Sequence, residues 1–153
     1  MATPFPFVSG QILTAAQMNS IGESVAFTPS ISNLTIGNGT RTGTYVLINK
    51  TVYFQANVTF GTTTTLVGNA DITLPVAPTG RTLFDTINIS CNFIKASPTA
   101  IYLGYGLVVG STVRLVATLT NGTYAVQADL SATAPFTWGN NDMITVAGNY
   151  QIA

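Results

Sequence analysis

An alternation of apolar and polar side chains across residues 51–60 constrains the fold of this chain more than any other sequence feature. The apolar positions are Val52, Phe54, Ala56, Val58 and Phe60, and the polar ones are Thr51, Tyr53, Gln55, Asn57 and Thr59. Successive side chains of a β-strand point to opposite faces, so this pattern predicts a strand with one face against a core. Upstream, Asn38-Gly39 predicts a tight turn because both residues tolerate positive φ, and residues 43–48 predict a partner strand.

The remainder of the chain reads as further strands separated by turn residues. Asn121-Gly122 predicts the turn of a second hairpin, Gly148 indicates a bulge in the last strand, and Pro75 and Pro78 exclude a central strand between them. This spacing predicts an all-β protein with an antiparallel β-sandwich or jelly-roll-like domain. The additional strands are expected near residues 27–36, 70–74, 83–94, 99–105, 112–120, 123–130 and 143–152.

The first 25 residues are predicted to form a separate unit ahead of the β domain of residues 26–153. Pro4 and Pro6 prevent regular structure in an apolar opening segment, which indicates an extended docking arm, with a disordered tail as the alternative. Its apolar side chains, together with those of the helix that follows, are expected to mediate docking or oligomerisation. These are Phe5, Phe7, Val8, Ile12, Leu13, Met18 and Ile21.

Residues 13–22 predict one short helix. Thr14 is a good N-cap, Gln17 completes a capping box, and Gly22 suits the position just after the helix. A helix of about two turns is not stable in isolation, so it must lie on the sheet of this chain or on symmetry mates.

Charge is scarce in this chain, which bears on its partners. Five basic and five acidic residues cancel, and charged residues make up 7% of the chain. Without a basic surplus, nucleic acid is not an expected partner. The opening segment lacks the features of a secretory signal, and no apolar run approaches the ~20 residues of a membrane-spanning helix, so membrane insertion is not expected. A surface of hydroxyls and amides favours coverage by sister subunits or a larger assembly; the alternative is the Thr-rich face of an ordinary sandwich.

No constellation of residues predicts catalysis, a metal or a cofactor. The chain has no histidine, which excludes Ser–His–Asp and Cys–His mechanisms, and the neighbours of its one cysteine, Cys91, predict a buried thiol. Asp71 and Asp129 are the carboxylates that could pair for glycoside hydrolysis, although no motif surrounds either and strand-edge roles are favoured. Asn140-Asn141-Asp142 offers oxygens to calcium, but an Asx-turn is the favoured interpretation.

Aromatic side chains near predicted loops form the one candidate ligand surface. Sugars stack on exposed Trp and Tyr rings beside neutral amides, which suits the residues of this set. The alternative is that Trp138 plugs the end of the sandwich. The candidate residues are Tyr102, Tyr105, Trp138, Asn140 and Asn141, with Phe136 nearby.

Several motifs, in a fixed order, resemble surface proteins of tailed-bacteriophage virions. The first is an apolar arm followed by Gly and then Leu-Thr-Ala-x-x-Met-Asn, which is found here in residues 5–19. Ala26 departs from the pattern, which commonly has an aromatic residue there. The further matches are Phe27-Thr28-Pro29, Leu34-Thr35-Ile36-Gly37-Asn38-Gly39-Thr40, Gly43-Thr44-Tyr45, Asn49-Lys50-Thr51-Val52, Leu74-Pro75-Val76 and the closing strand of residues 142–150.

The resemblance implies a non-enzymatic structural protein of the virion, assembled in the host cytoplasm as a homotrimer. Its other partners would be tail proteins or the major capsid protein, gripped through the arm. A short tail fibre or tip with a host surface glycan as ligand is the first expectation. A capsid decoration protein is the alternative. The arm and helix lead straight into one compact domain rather than into a shaft, which fits a short tip or spike as well as a decoration protein.

Overall fold

The computed structural model describes residues 9, 10, 12, 14–19, 21–78 and 89–152. In this part of the chain one short helix, α1 (Ala15–Asn19), precedes eleven β-strands. The strands are β1 (Val25–Phe27), β2 (Leu34–Thr35), β3 (Thr40–Ile48), β4 (Thr51–Thr59), β5 (Thr65–Leu66), β6 (Asp71–Thr73), β7 (Ile89–Lys95), β8 (Ala100–Val109), β9 (Thr112–Thr120), β10 (Ala125–Asp129) and β11 (Met143–Gln151).

Antiparallel pairing joins nearly all of these strands in the order β1-β3-β4-β11-β7-β8-β9-β10. β6 also pairs with β9, beside β10, while β2 and β5 form a small second sheet. The last strand, β11, inserts between β4 and β7 and is paired on both edges. Antiparallel sheets pack against each other around one core, which confirms the predicted all-β sandwich class.

The core forms where the predicted alternation places it. Val52, Phe54, Ala56 and Val58 of β4 are buried, and the Thr51-to-Thr59 set on the other face is not. Matching faces of β11 and β7 extend this layer, with Cys91 among the buried residues. The residues that pack against this layer from the other side of the core come from β9 and β6. The largest fully buried side chains are Tyr150, Phe60, Phe93, Ile72, Leu115, Leu130, Ile144, Val52, Val58, Val108, Val113 and Val146.

Two glycines let β8 approach the core closely. A Cβ on Gly104 would lie 2.2 Å from the carbonyl oxygen of Val116 and 2.6 Å from the ring of Phe93. A Cβ on Gly106 would lie 2.4 Å from the Val113 side chain. Since the backbone of β8 fills the space that side chains occupy on neighbouring strands, only glycine fits at these two positions.

Helix α1 has the predicted capping box but is shorter than the predicted 13–22 segment. The Gln17 N–H donates to the Thr14 hydroxyl (3.2 Å), and the Thr14 N–H donates to the Gln17 side-chain oxygen (3.0 Å). Gly22 has φ +78°, as expected for a residue just after a helix. Of the predicted docking residues, Phe5, Phe7, Val8, Leu13 and the Met18 side chain lie outside the described part of the chain.

Two sequence predictions about strands are wrong. Residues 27–36 are not one strand: β1 and β2 are separated by a segment that contains Pro29 and ends at Asn33, whose φ is +57°. The register of β11 against β4 runs unbroken from Met143 to Gln151, and the described pairing with β7 reaches Gly148 in regular register, so Gly148 makes no bulge in the β4–β11 pair. The structure also adds β5, a two-residue strand that pairs with β2. The predicted strand near residues 83–94 is described only from Ile89 onward.

Candidate functional site

Trp138 packs into an aromatic cluster at the end of the sheet where β4 finishes and β11 begins. Its ring stacks on Phe60 at 4.7 Å between centroids, lies 4.5 Å from Phe136 and meets Phe93 edge-on at 6.4 Å. Its indole N–H donates to the Ser131 carbonyl oxygen at 2.9 Å. These contacts give Trp138 a packing role, the one that the sequence left open beside sugar binding.

The structure brings some of the candidate ligand residues together and separates one. Tyr102 joins the cluster through Phe136, at 5.3 Å between ring centroids. Asn140 and Asn141 are exposed in the turn beside it. Tyr105 follows Tyr102 by three residues on β8, and side chains an odd number of residues apart on a strand point to opposite faces. The Tyr105 side chain therefore lies on the other face of the sheet. The polar groups at the cluster include these two amides and the Lys95 ammonium, which lies 5.0 Å from the centroid of the Phe136 ring.

Asp142 is a buried carboxylate that organises this end of the molecule. Its side chain is 3% exposed, and one oxygen accepts the Ala96 N–H at 2.8 Å while the other accepts the Gly139 N–H at 2.7 Å. Asn141, just before it, has φ +66°. The carboxylate ties the β7–β8 connection to the turn that starts β11, which is an Asx-type use of the acid. No cluster of three or more potential metal-ligating His, Cys, Asp or Glu side chains occurs among the residues that the structure describes.

Asp71 and Asp129 come to neighbouring positions on one edge of β9. They lie opposite Arg114 and Val116, two residues apart on that strand, so about 7 Å separates them along its direction. Asp71 is paired with the Arg114 guanidinium at 3.7 Å, and Asp129 accepts from the Asn69 side-chain amide at 3.2 Å. Both acids are thus already engaged by neighbours on the sheet edge.

The Gly-Asn-Gly-Thr motif is locked to a second loop by a dense set of hydrogen bonds. The Asn38 side-chain oxygen accepts from the Thr63 N–H and hydroxyl, both at 2.9 Å, and its amide donates to the Thr62 hydroxyl at 2.9 Å. A Cβ on Gly37 would lie 2.4 Å from the Thr63 hydroxyl, and one on Gly39 would lie 2.5 Å from a backbone oxygen. The motif therefore meets a packing requirement beyond that of a simple turn.

Tyr150 plays a similar role in the closing strand. Its hydroxyl donates to the Val76 carbonyl oxygen at 2.7 Å and accepts the Val76 N–H at 3.1 Å. Burial raises the pKa of the Tyr150 phenol, and separately that of the Cys91 thiol, to about 12. A thiol that stays protonated is a poor nucleophile, so Cys91 is a structural residue.

Sequence reasoning missed an exposed apolar row on β8. Ile101 and Leu103 are 63% and 65% exposed, and both lie on the face opposite the core. The signal was present, because residues 100–109 carry apolar side chains at odd and even positions alike, whereas β4 alternates.

Comparisons with known proteins add no relative. No family model, no curated protein sequence and no solved structure matches this chain. Within the described ranges, none of the helical structure is long and apolar enough to cross a membrane.

Proposed function

We propose that this chain is a non-enzymatic structural protein on the surface of a tailed-phage virion, trimeric and anchored through its N-terminal segment. The observation that carries the proposal is the ordered set of sequence motifs, from Leu-Thr-Ala-x-x-Met-Asn through Gly-Asn-Gly-Thr to the closing Gly-x-Tyr strand. As a short tail fibre or tip, the protein would present its aromatic end, with Asn140 and Asn141 exposed, to a host surface glycan.

The geometry of the motif residues supports this proposal. No larger residue fits at Gly37 or Gly39 against the loop described above, and hydrogen bonds to that loop hold Asn38 in place. The Tyr150 hydroxyl fastens the closing strand to the backbone of Val76. The Gly-Asn-Gly-Thr motif and the closing strand thus each meet a demand of tertiary packing. A match that depends on tertiary packing at two distant points is less easily produced by turn composition alone.

Exposed apolar side chains beside α1 support docking through the N-terminal segment. Ile12 is 87% exposed and Ile21 is 43% exposed in the described structure. Exposed apolar groups gathered next to a marginal helix favour burial against another protein.

A capsid decoration protein is the second candidate, and the connection between helix and domain favours it. Helix α1 ends at Asn19 and β1 begins at Val25, so no shaft separates the predicted anchor from the β-sandwich. Such a chain suits a compact domain held close to a capsid lattice, whereas an extended fibre would place repeats between the two parts.

Incorporation of variants into particles tests the anchor. In particles assembled from the genome that encodes this chain, Ile12→Asp and Ile21→Asp should lower the number of copies per particle, measured by quantitative mass spectrometry. Val67→Asp is the matched control, because Val67 is 77% exposed on the β domain. Equal incorporation of all three variants would refute anchoring through this segment, and absence of the wild-type chain from particles would refute the proposed function.

A further inference from the structure

The outward side of five adjacent strands forms one continuous surface, which we call the neutral face. Because paired residues of antiparallel strands share a side, the register across β3, β4, β11, β7 and β8 defines it. Three rows cross all five strands. In this strand order they are Thr44, Gln55, Ala147, Ser90 and Tyr105; Thr42, Asn57, Thr145, Asn92 and Leu103; and Thr40, Thr59, Met143, Ile94 and Ile101.

No outward-facing residue of these five strands carries a charge. Charge reappears at the borders, with Lys50 in the β3–β4 turn, Lys95 at the end of β7 and the Arg114–Asp71 pair on the strands beyond β8. Solvated sheet faces and edges generally carry Lys and Glu, which keep them soluble and prevent association. The neutral face has no such protection.

Apolar side chains stand among the hydroxyls and amides of this face. Ile101, Leu103 and Tyr53 are each at least half exposed, while Ile94 pairs with Ile101 and Met143 pairs with Ile94 in the same row. A shallow groove on the same side is lined in part by Tyr53, Gln55 and Asn149. Apolar groups that cluster on an uncharged surface gain free energy when a partner covers them.

The size of the neutral face approaches that of a specific protein interface. Five strands spaced about 4.8 Å apart are about 24 Å wide, and three rows that lie two residues apart cover about 20 Å of strand, so the flat area of the face is roughly 500 Å². A standard interface buries about 800 Å² of solvent-accessible area per partner. That area exceeds the flat area of the same surface because it follows the contours of the side chains.

We propose that the neutral face is the surface through which copies of this chain associate. A strongly charged partner would lose hydration there without gaining a counter-charge, whereas a second copy brings hydroxyls and amides that both donate and accept. The chain has a formal net charge of zero, so copies do not repel one another. This inference deepens the proposed function, and the trimeric stoichiometry rests on that function. The location of the interface rests on the outward-facing residues of the five strands.

Charge placed on the face provides the test. Leu103→Glu and Thr145→Glu each put a carboxylate on the neutral face, and Thr73→Glu puts the same group on an exposed position of β6, away from it. Sedimentation of the full chain over a concentration series measures association. We expect an oligomeric wild type, dissociation constants raised more than about tenfold in the two face variants, and no change in Thr73→Glu. Urea unfolding of each variant checks that the fold is kept.

Each result decides the proposal. A monomeric wild type overturns it and leaves the face to another protein, without bearing on whether the chain is found in virions. An oligomer that both face variants leave intact also overturns it and moves the interface elsewhere. A dimer weakened by both variants supports the interface and contradicts the trimer of the proposed function.

Discussion

Replacement of the buried carboxylate of Asp142 should be the most damaging polar substitution in the described chain. The carboxylate accepts two backbone N–H groups, from Ala96 and Gly139, at 2.8 and 2.7 Å. A hydrogen bond to a charged group contributes about 1.5–3 kcal/mol, so Asp142→Ala should lower the free energy of unfolding by about 3–6 kcal/mol. Asp142→Asn keeps one acceptor oxygen and should lose about half as much.

Urea unfolding followed by the fluorescence of Trp138 measures this loss, since the chain's one tryptophan packs in the adjoining cluster. Asp129→Ala is the control. Asp129 is half-exposed and accepts from the Asn69 side-chain amide, so its removal should cost less than about 1 kcal/mol. If Asp142→Ala is no more destabilising than Asp129→Ala, the carboxylate does not hold the two segments together.

Four further predictions concern the core and its closing strand. Tyr150→Phe removes both hydrogen bonds to Val76 and should lower the free energy of unfolding by about 1–3 kcal/mol in the same assay; an unchanged midpoint would contradict the contact. The folded state holds the protons of Cys91 and Tyr150 more tightly than the unfolded state, because their pKa values rise from 9.0 and 10.0 to about 12. The free energy of unfolding should therefore be highest below pH 9 and decline between pH 9 and 12. The Cys91 thiol should react with a thiol reagent at pH 8 only after urea is added. Rapid labelling without urea would refute the burial of Cys91. Gly104→Ala should cost more than about 2 kcal/mol, whereas Gly139→Ala, whose Cβ meets nothing closer than 3.8 Å, should cost less than about 1 kcal/mol.

The parts of the fold that depend on local sequence could be predicted. The alternation in β4 reports directly which side chains face the core, and the capping box of Thr14 and Gln17 closes within one helical turn. In each case the residues that decide the conformation are neighbours in the chain.

Prediction failed where the deciding contact is distant in sequence. Residues 27–36 looked like one strand, but Ile31 bridges to Ile72 and Leu34 pairs with Leu66, so the segment divides between two partners. The acceptor role of Asp142 depends on Ala96, 46 residues earlier. No local pattern encodes such contacts.

The candidate surfaces show the same division. Sequence composition indicated a poorly charged surface, but only the register of five strands shows that the uncharged positions lie together on one face. Trp138 stood out as the single tryptophan, while its contacts with Phe60 and Phe93 depend on how β4 and β7 meet.

Cryo-electron microscopy of particles assembled from the genome that encodes this chain tests the central claim most directly. We predict density for a β-sandwich of this size on the particle surface, anchored to other virion proteins through residues 1–25. A few copies at the tail would identify a fibre or tip, and copies at regular lattice points on the head would identify a decoration protein. Particles that contain no such density would contradict the claim that this is a structural protein of the virion.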